Sequence, residues 1–283
     1  RLEKEVECIE AQPALVRADL SGVVARIVGY LQTSQQQLVT LTRHPQPIYS
    51  SEPEPDKLGS NLVSNKLQAF LRMVQLIDRG DSSNAQATAE VTSIAETIAQ
   101  LMGLPFGRLR RLRLAALLHR IGLSEIPSSI SDPDSHAARE ALAQAAQFGA
   151  ELLRSMPELR TVARIVEHQW EQWDGRGLPE ALEGEDIPLE SRILGLAAYF
   201  QEWMVSRGTR QALAATEALA RCEDRAGQYW DPRLIEPLTN IVRLLQAGIL
   251  LDPVKPQLSN SQWLLATEGV DEREGSAVLE GNQ

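Results

Sequence analysis

The chain has 283 residues, 43% of them hydrophobic, enough for one large domain or for a domain of roughly 200 residues with an extra subdomain. Its net charge of -10, from 38 acidic and 28 basic side chains, argues against broad affinity for nucleic acid, and no apolar run approaches the roughly 18 residues of a membrane-spanning helix. Cys8 and Cys222 are too few for a disulfide framework or a cysteine-rich zinc site, and no signal-type apolar segment follows Arg1, so a reducing, cytoplasmic setting is expected.

Helical periodicity dominates. Residues 2 to 9 form a short apolar piece, and Asp19 or Ser21 caps a segment to about Leu41 whose Val23, Val24, Ile27, Tyr30 and Leu31 share a face. From His44 to Ser60 the prolines 45, 47, 53 and 55 forbid a helix and predict a linker. Helices follow at about 62–78, 85–102 and 109–118, the second ending at Gly103 and Pro105, and residues 121–127 leave helical pattern for a loop. Further helices are expected at 136–154, 157–172, 189–206, 209–226 and 231–247, the last opened by an Asp231 cap and a proline at the first position. No alternating run demands a sheet. After Gly248 comes an irregular, acidic tail with a small apolar cluster at Trp263, Leu264 and Leu265.

Arg108, Arg110, Arg111, Arg113 and Arg120 are the densest basic group, yet at roughly 100° per residue the first four point to several sides of a helix, which predicts solvated surface and pairing between helices more than an anion or acidic-partner site. His168, beside Glu167 and one turn from Glu171, makes a small candidate His/Glu metal cluster, with an ordinary surface helix as the simpler expectation. His44 and His136 read as surface residues, and Ser128, Ser129 and Ser131 as loop polar groups with no triad behind them. No phosphate loop accompanies the glycines of 175–177.

The most specific string is Trp173-Asp174-Gly175-Arg176-Gly177-Leu178-Pro179, followed by Leu182 to Leu189 and Arg192-Ile193-Leu194. Together with Leu117 to Leu123 upstream and Tyr229-Trp230-Asp231-Pro232 downstream, it resembles the HD-GYP phosphodiesterases in order and spacing over about residues 80 to 247, with Leu178 where that family has tyrosine. The resemblance implies an all-α, HD-GYP-like helical domain at 61–250, preceded by a helical extension and linker at 1–60 and followed by an irregular tail at 251–283. In active members, histidines and aspartates converge on iron or manganese ions, whose hydroxide attacks cyclic diguanylate; such ions lower the pKa of water and neutralise developing charge only where ligands hold them.

Carried over by register, the ligand positions fall at Ala87, His119, Arg120, Ala145, Gln169, Trp170 and Ala198, with the partner arginine at Glu90 and the lysine at Leu123. His119 alone survives, and Arg120 opposes a metal electrostatically. The resemblance so read implies a pseudoenzyme with no catalytic residue, metal or cofactor. It leaves a candidate interaction loop, Trp173 to Pro179, and a candidate remodelled cleft at His119 and Arg120. Trp173 is expected to anchor the loop in the core. Asp174 is expected to accept backbone hydrogen bonds at the turn. The leading expectation is a regulatory adaptor with a protein partner, homodimerisation being open. Two alternatives stand beside it: a cyclic-dinucleotide receptor using Arg120 and Arg176, and an atypical metal-dependent phosphohydrolase around His119, Glu167, His168 and Glu171.

Overall fold

The computed structural model describes residues 57–81, 85–125, 132–249 and 251. The expected N-terminal pieces and linker to residue 56, His44, Ser128, Ser129, Ser131 and the Trp263 cluster lie outside the described residues. Within them are eight α-helices: α1 (Lys57–Gly80), α2 (Ala87–Leu101), α3 (Phe106–Leu118), α4 (His136–Arg154), α5 (Arg160–Glu167), α6 (Leu189–Trp203), α7 (Ala215–Asp224) and α8 (Ile235–Gln246). No strand forms among the described residues, only isolated bridges such as Asp174 with Glu183. The fold is all-α, as the periodicity predicts. No described helix is long and apolar enough to cross a membrane.

Helix α2 lies at the centre because its apolar residues leave no solvated stripe. Val91, Ile94, Ala95, Ile98 and Ala99 are all buried, and α3, α6 and α8 pack around it. Gly103 at φ 70° and Pro105 at the α3 N-terminus end α2 and restart the chain. Ser135 caps α4 by accepting from the Ala138 amide at 3.2 Å, so α4 spans the residues that pattern predicts. Asp231 likewise accepts from the Arg233 amide at 3.0 Å, opening a short 3-10 turn before α8.

Helix α1 begins at Lys57, inside the expected linker, and α3 begins at Phe106, three residues early. Three other stretches differ from expectation for a tertiary reason. The expected 157–172 helix is a 3-10 turn at Pro157–Leu159 followed by α5, which stops at Glu167. There the backbone turns against α6. A Cβ on Gly195 would stand 2.1 Å from the Gln169 carbonyl oxygen, an approach that only glycine permits. Helix α7 begins at Ala215 instead of residue 209, because Arg207 and Arg210 close a turn through reciprocal 2.9 Å backbone bonds and send their guanidiniums to Glu202. The expected loop at 121–127 is helical over Ile121–Glu125, with Ile121 drawn wholly into the core.

Candidate functional site

The Trp173–Pro179 segment follows α5 after a short turn at residues 168–170. Glu171 is buried, and its carboxylate accepts from the Glu180 amide at 2.8 Å and the Leu182 amide at 3.2 Å, folding the loop back over its own start. The Trp173 and Asp174 amides donate to the Tyr229 and Gln228 carbonyls at 3.2 and 2.9 Å, stitching the loop to the segment before α8. Asp174 accepts from the Arg176 amide at 3.1 Å, and Gly175 takes φ 75°. At Gly177 a Cβ would lie 2.1 Å from the Gln172 nitrogen, so this position has room for glycine alone. The Leu178–Pro179 peptide is cis, and Leu178 is exposed.

Trp173 does not enter the core. It is half-buried, with the Arg192 and Arg233 guanidiniums 5.5 and 5.6 Å from its ring centre. Both arginines pair with buried Asp231, at 2.6 and 2.9 Å, and Arg233 reaches Glu185 at 2.8 Å. These cations hold the Asp231 carboxyl below its ordinary range against the burial that pushes it up.

His119 caps the end of α3, where its Nδ1–H donates to the Ala116 carbonyl at 2.7 Å. Burial, aided by the Arg120 charge, pushes its imidazole down to about 4, so it is neutral at pH 7. Arg120 points into a buried ion-pair network. Its guanidinium lies 2.9 Å from Asp81 and 3.4 Å from Asp78. Arg207 meets the other Asp81 oxygen at 2.9 Å, and Thr88 donates to Asp78 at 3.0 Å. Burial nonetheless raises the Asp78 carboxyl above its usual range. His119 and Arg120 are neighbours in sequence with separate partners, and Arg120 is committed to carboxylates of the α1 end.

Two other basic residues of α3, Arg108 and Arg113, also cross between helices. Arg108 grips Glu190 with two nitrogens at 2.8 and 2.7 Å, Arg113 pairs with Glu96, and Arg110 lies 5.7 Å from the Phe106 ring centre. His168 sits 3.7 Å from Glu167 and 3.5 Å from Glu171. Arg154 also takes Glu167, however, while main-chain amides take Glu171.

A transition-metal centre does not fit these donors. Ala87, Ala145 and Ala198 present buried methyl groups, Arg120 brings positive charge, and Gln169 replaces imidazole. Among the described residues no group of three or more His, Cys, Asp or Glu is arranged to hold an ion.

A cleft of about 350 Å³ opens beside the loop, lined by Arg139 of α4, Arg225, Tyr229, Trp170, Arg176 and Gly177 among others. Arg139 and Arg225 were not legible as site residues. They are far apart in sequence and carry no motif; only the fold brings them to Tyr229.

A family model described as HD domain matches residues 57–234. The chain belongs to this HD-domain family. The HD domain is 28% identical over 176 residues to the cyclic di-GMP phosphodiesterase response regulator RpfG of Xanthomonas campestris, covering 60% of this chain and 47% of that protein. It is 30% identical over 166 residues to 3'3'-cGAMP-specific phosphodiesterase 2 of Vibrio cholerae, covering 56% of this chain and 32% of that one. The chain thus spans less than half the length of these relatives. A solved cyclic GMP-AMP phosphodiesterase of V. cholerae aligns with a TM-score of 0.48 at 23% identity, covering 67% of this chain and 50% of that one.

These relatives correct one expectation. The pseudoenzyme reading is overturned by relatives at 27–30% identity that are named as phosphodiesterases, which points to an enzyme. That reading equated inherited ligand positions with activity. Phosphodiester hydrolysis requires charge neutralisation and a positioned water, which other side chains can also supply. The adaptor role built on inactivity loses its basis with it.

Proposed function

We propose that this HD domain is a phosphohydrolase acting on a cyclic dinucleotide, with a site remodelled away from the family's metal cage. The observation that carries this is the run of similarity, over 164 to 176 residues, to proteins named as cyclic di-GMP and 3'3'-cGAMP phosphodiesterases. In the reaction water cleaves one P–O bond; its oxygen stays on phosphorus, one proton ends on the released sugar hydroxyl, and the other leaves to solvent as the phosphate monoester takes its second charge. What the chain's own residues contribute is cationic charge near the loop, which lowers the cost of the doubly charged product and of the transition state before it. Among the described residues the donor set does not fit a metal.

The test is turnover by the purified chain of cyclic di-GMP and 3'3'-cGAMP, in chelator and with added manganese or iron, followed by chromatography of the linear product. Linear dinucleotide above the protein-free control is expected. Its absence under every condition overturns the proposal. Saturable binding with no product does so too, in favour of a receptor.

A further inference from the structure

We infer that the cleft between the first turns of α4, the Trp173–Pro179 loop and the segment before α8 is a nucleotide site, with arginines for the phosphate and the Trp170 ring for the base. The inference rests on the proposed function only for the choice of a cyclic dinucleotide as probe. The central feature is Tyr229. The Arg139 and Arg225 guanidiniums stand 5.1 and 5.0 Å from its ring centre, so one aromatic side chain orients two cations toward a common space. Arg176 borders the same cleft from the loop.

Arg225 pairs with one Asp134 oxygen at 3.5 Å, and the other oxygen accepts the Tyr199 hydroxyl at 2.8 Å. Glu140 faces His136 at 3.9 Å, and Asp174 is held by the Arg176 amide at 3.1 Å, its other oxygen 3.8 Å from the Arg176 guanidinium. Arg139, Arg176 and Arg225 bring three guanidiniums to one cleft, in a chain whose net charge is -10. A phosphate takes such planar forks in paired hydrogen bonds. Trp170, half-buried, supplies a flat surface for a base. The volume of about 350 Å³ falls within the range of small-molecule sites, roughly 300–1,000 Å³, and at its lower end, which suits one nucleotide unit of a larger ligand.

The experiment is calorimetric titration of wild type, Arg139→Gln, Arg225→Gln and Arg176→Gln with cyclic di-GMP, 5'-GMP and inorganic phosphate, turnover being assayed on the same preparations. Arg176 is so exposed that its variant tests binding without disturbing the fold, and Arg243→Gln on α8, outside the cleft lining, serves as control. Saturable cyclic di-GMP binding is expected, tighter than phosphate, weakened about 10-fold or more by each cleft variant, and weakened further by salt. Binding unchanged in all three cleft variants overturns the inference, and if turnover persists the hydrolase reading survives it. Arginine-dependent binding without turnover supports the site and overturns the hydrolase. No nucleotide binding, or arginine-dependent binding of an acidic peptide alone, overturns the nucleotide site.

Discussion

Replacing Arg120 by methionine keeps most of the side-chain volume and removes the cation from the buried Asp78/Asp81 network. All three side chains are about nine-tenths buried, at 9%, 10% and 7% exposure for Arg120, Asp78 and Asp81. Breaking a buried pair from one side costs about 3–5 kcal/mol, because the partner charge stays behind unpaired. Here the lower end applies. Asp81 keeps Arg207 at 2.9 Å, and Asp78 keeps the Thr88 hydroxyl at 3.0 Å. Asp78 also holds its proton above the usual carboxylate range, so it can escape its charge by protonation. A loss of about 3 kcal/mol corresponds to roughly 6–12 °C in Tm for a domain of this size. Urea and thermal unfolding at pH 7 measure it. As pH falls through the raised Asp78 value, the variant gains by protonation what it lost in pairing, so the gap to wild type narrows. A gap under about 1 kcal/mol at pH 7, or one that widens in acid, refutes the assignment of Arg120 to this network.

Glu171→Ala removes two charge-assisted bonds to main-chain amides, each worth about 1.5–3 kcal/mol; the Glu180 and Leu182 amides are expected to exchange hydrogen about 10-fold or more faster, and unchanged rates reject the role. Gly177→Ala forces a methyl group into the Gln172 and Glu171 backbone and is expected to cost about 1–3 kcal/mol by denaturant titration. His119→Gln tests linkage. The folded imidazole titrates near 4 and the unfolded one near 6.5, so wild type loses stability as pH falls between those values, and the variant is expected to lose less over that window. Asp231→Asn is expected to destabilise above pH 5, with the difference from wild type disappearing as pH falls below about 3.8 through the depressed folded value; a pH-independent difference contradicts the Arg192 and Arg233 pairing.

Local signals carried most of the helix pattern. The α4 start was legible because its cap, Ser135, lies one residue before it, and the Asp231-Pro232 start because the cap and the proline are adjacent. Where a boundary depends on a distant residue, periodicity misleads: α5 stops because α6 presents Gly195, and α7 starts late because Glu202 holds the Arg207–Arg210 turn. The site divides in the same way. The loop was legible through its glycines and Asp174, whereas the burial of Arg120 against carboxylates 39 and 42 positions earlier was not. Nor was Trp173, whose aromatic surface suggested a core anchor but whose neighbours are two guanidiniums. The Arg139/Arg225 pair on Tyr229 left no trace, because one member lies 90 residues from the ring.

The way Glu171 fastens the loop has a consequence for its evolution. Its carboxylate grips the amides of residues 180 and 182, groups that every amino acid except proline carries. Glu180 and Ala181 are exposed. The course of the chain over this stretch is thus separated from the chemistry it displays. Related domains can therefore rewrite the outward side chains of the loop, and with them whatever the loop meets, while a single buried acid keeps its shape.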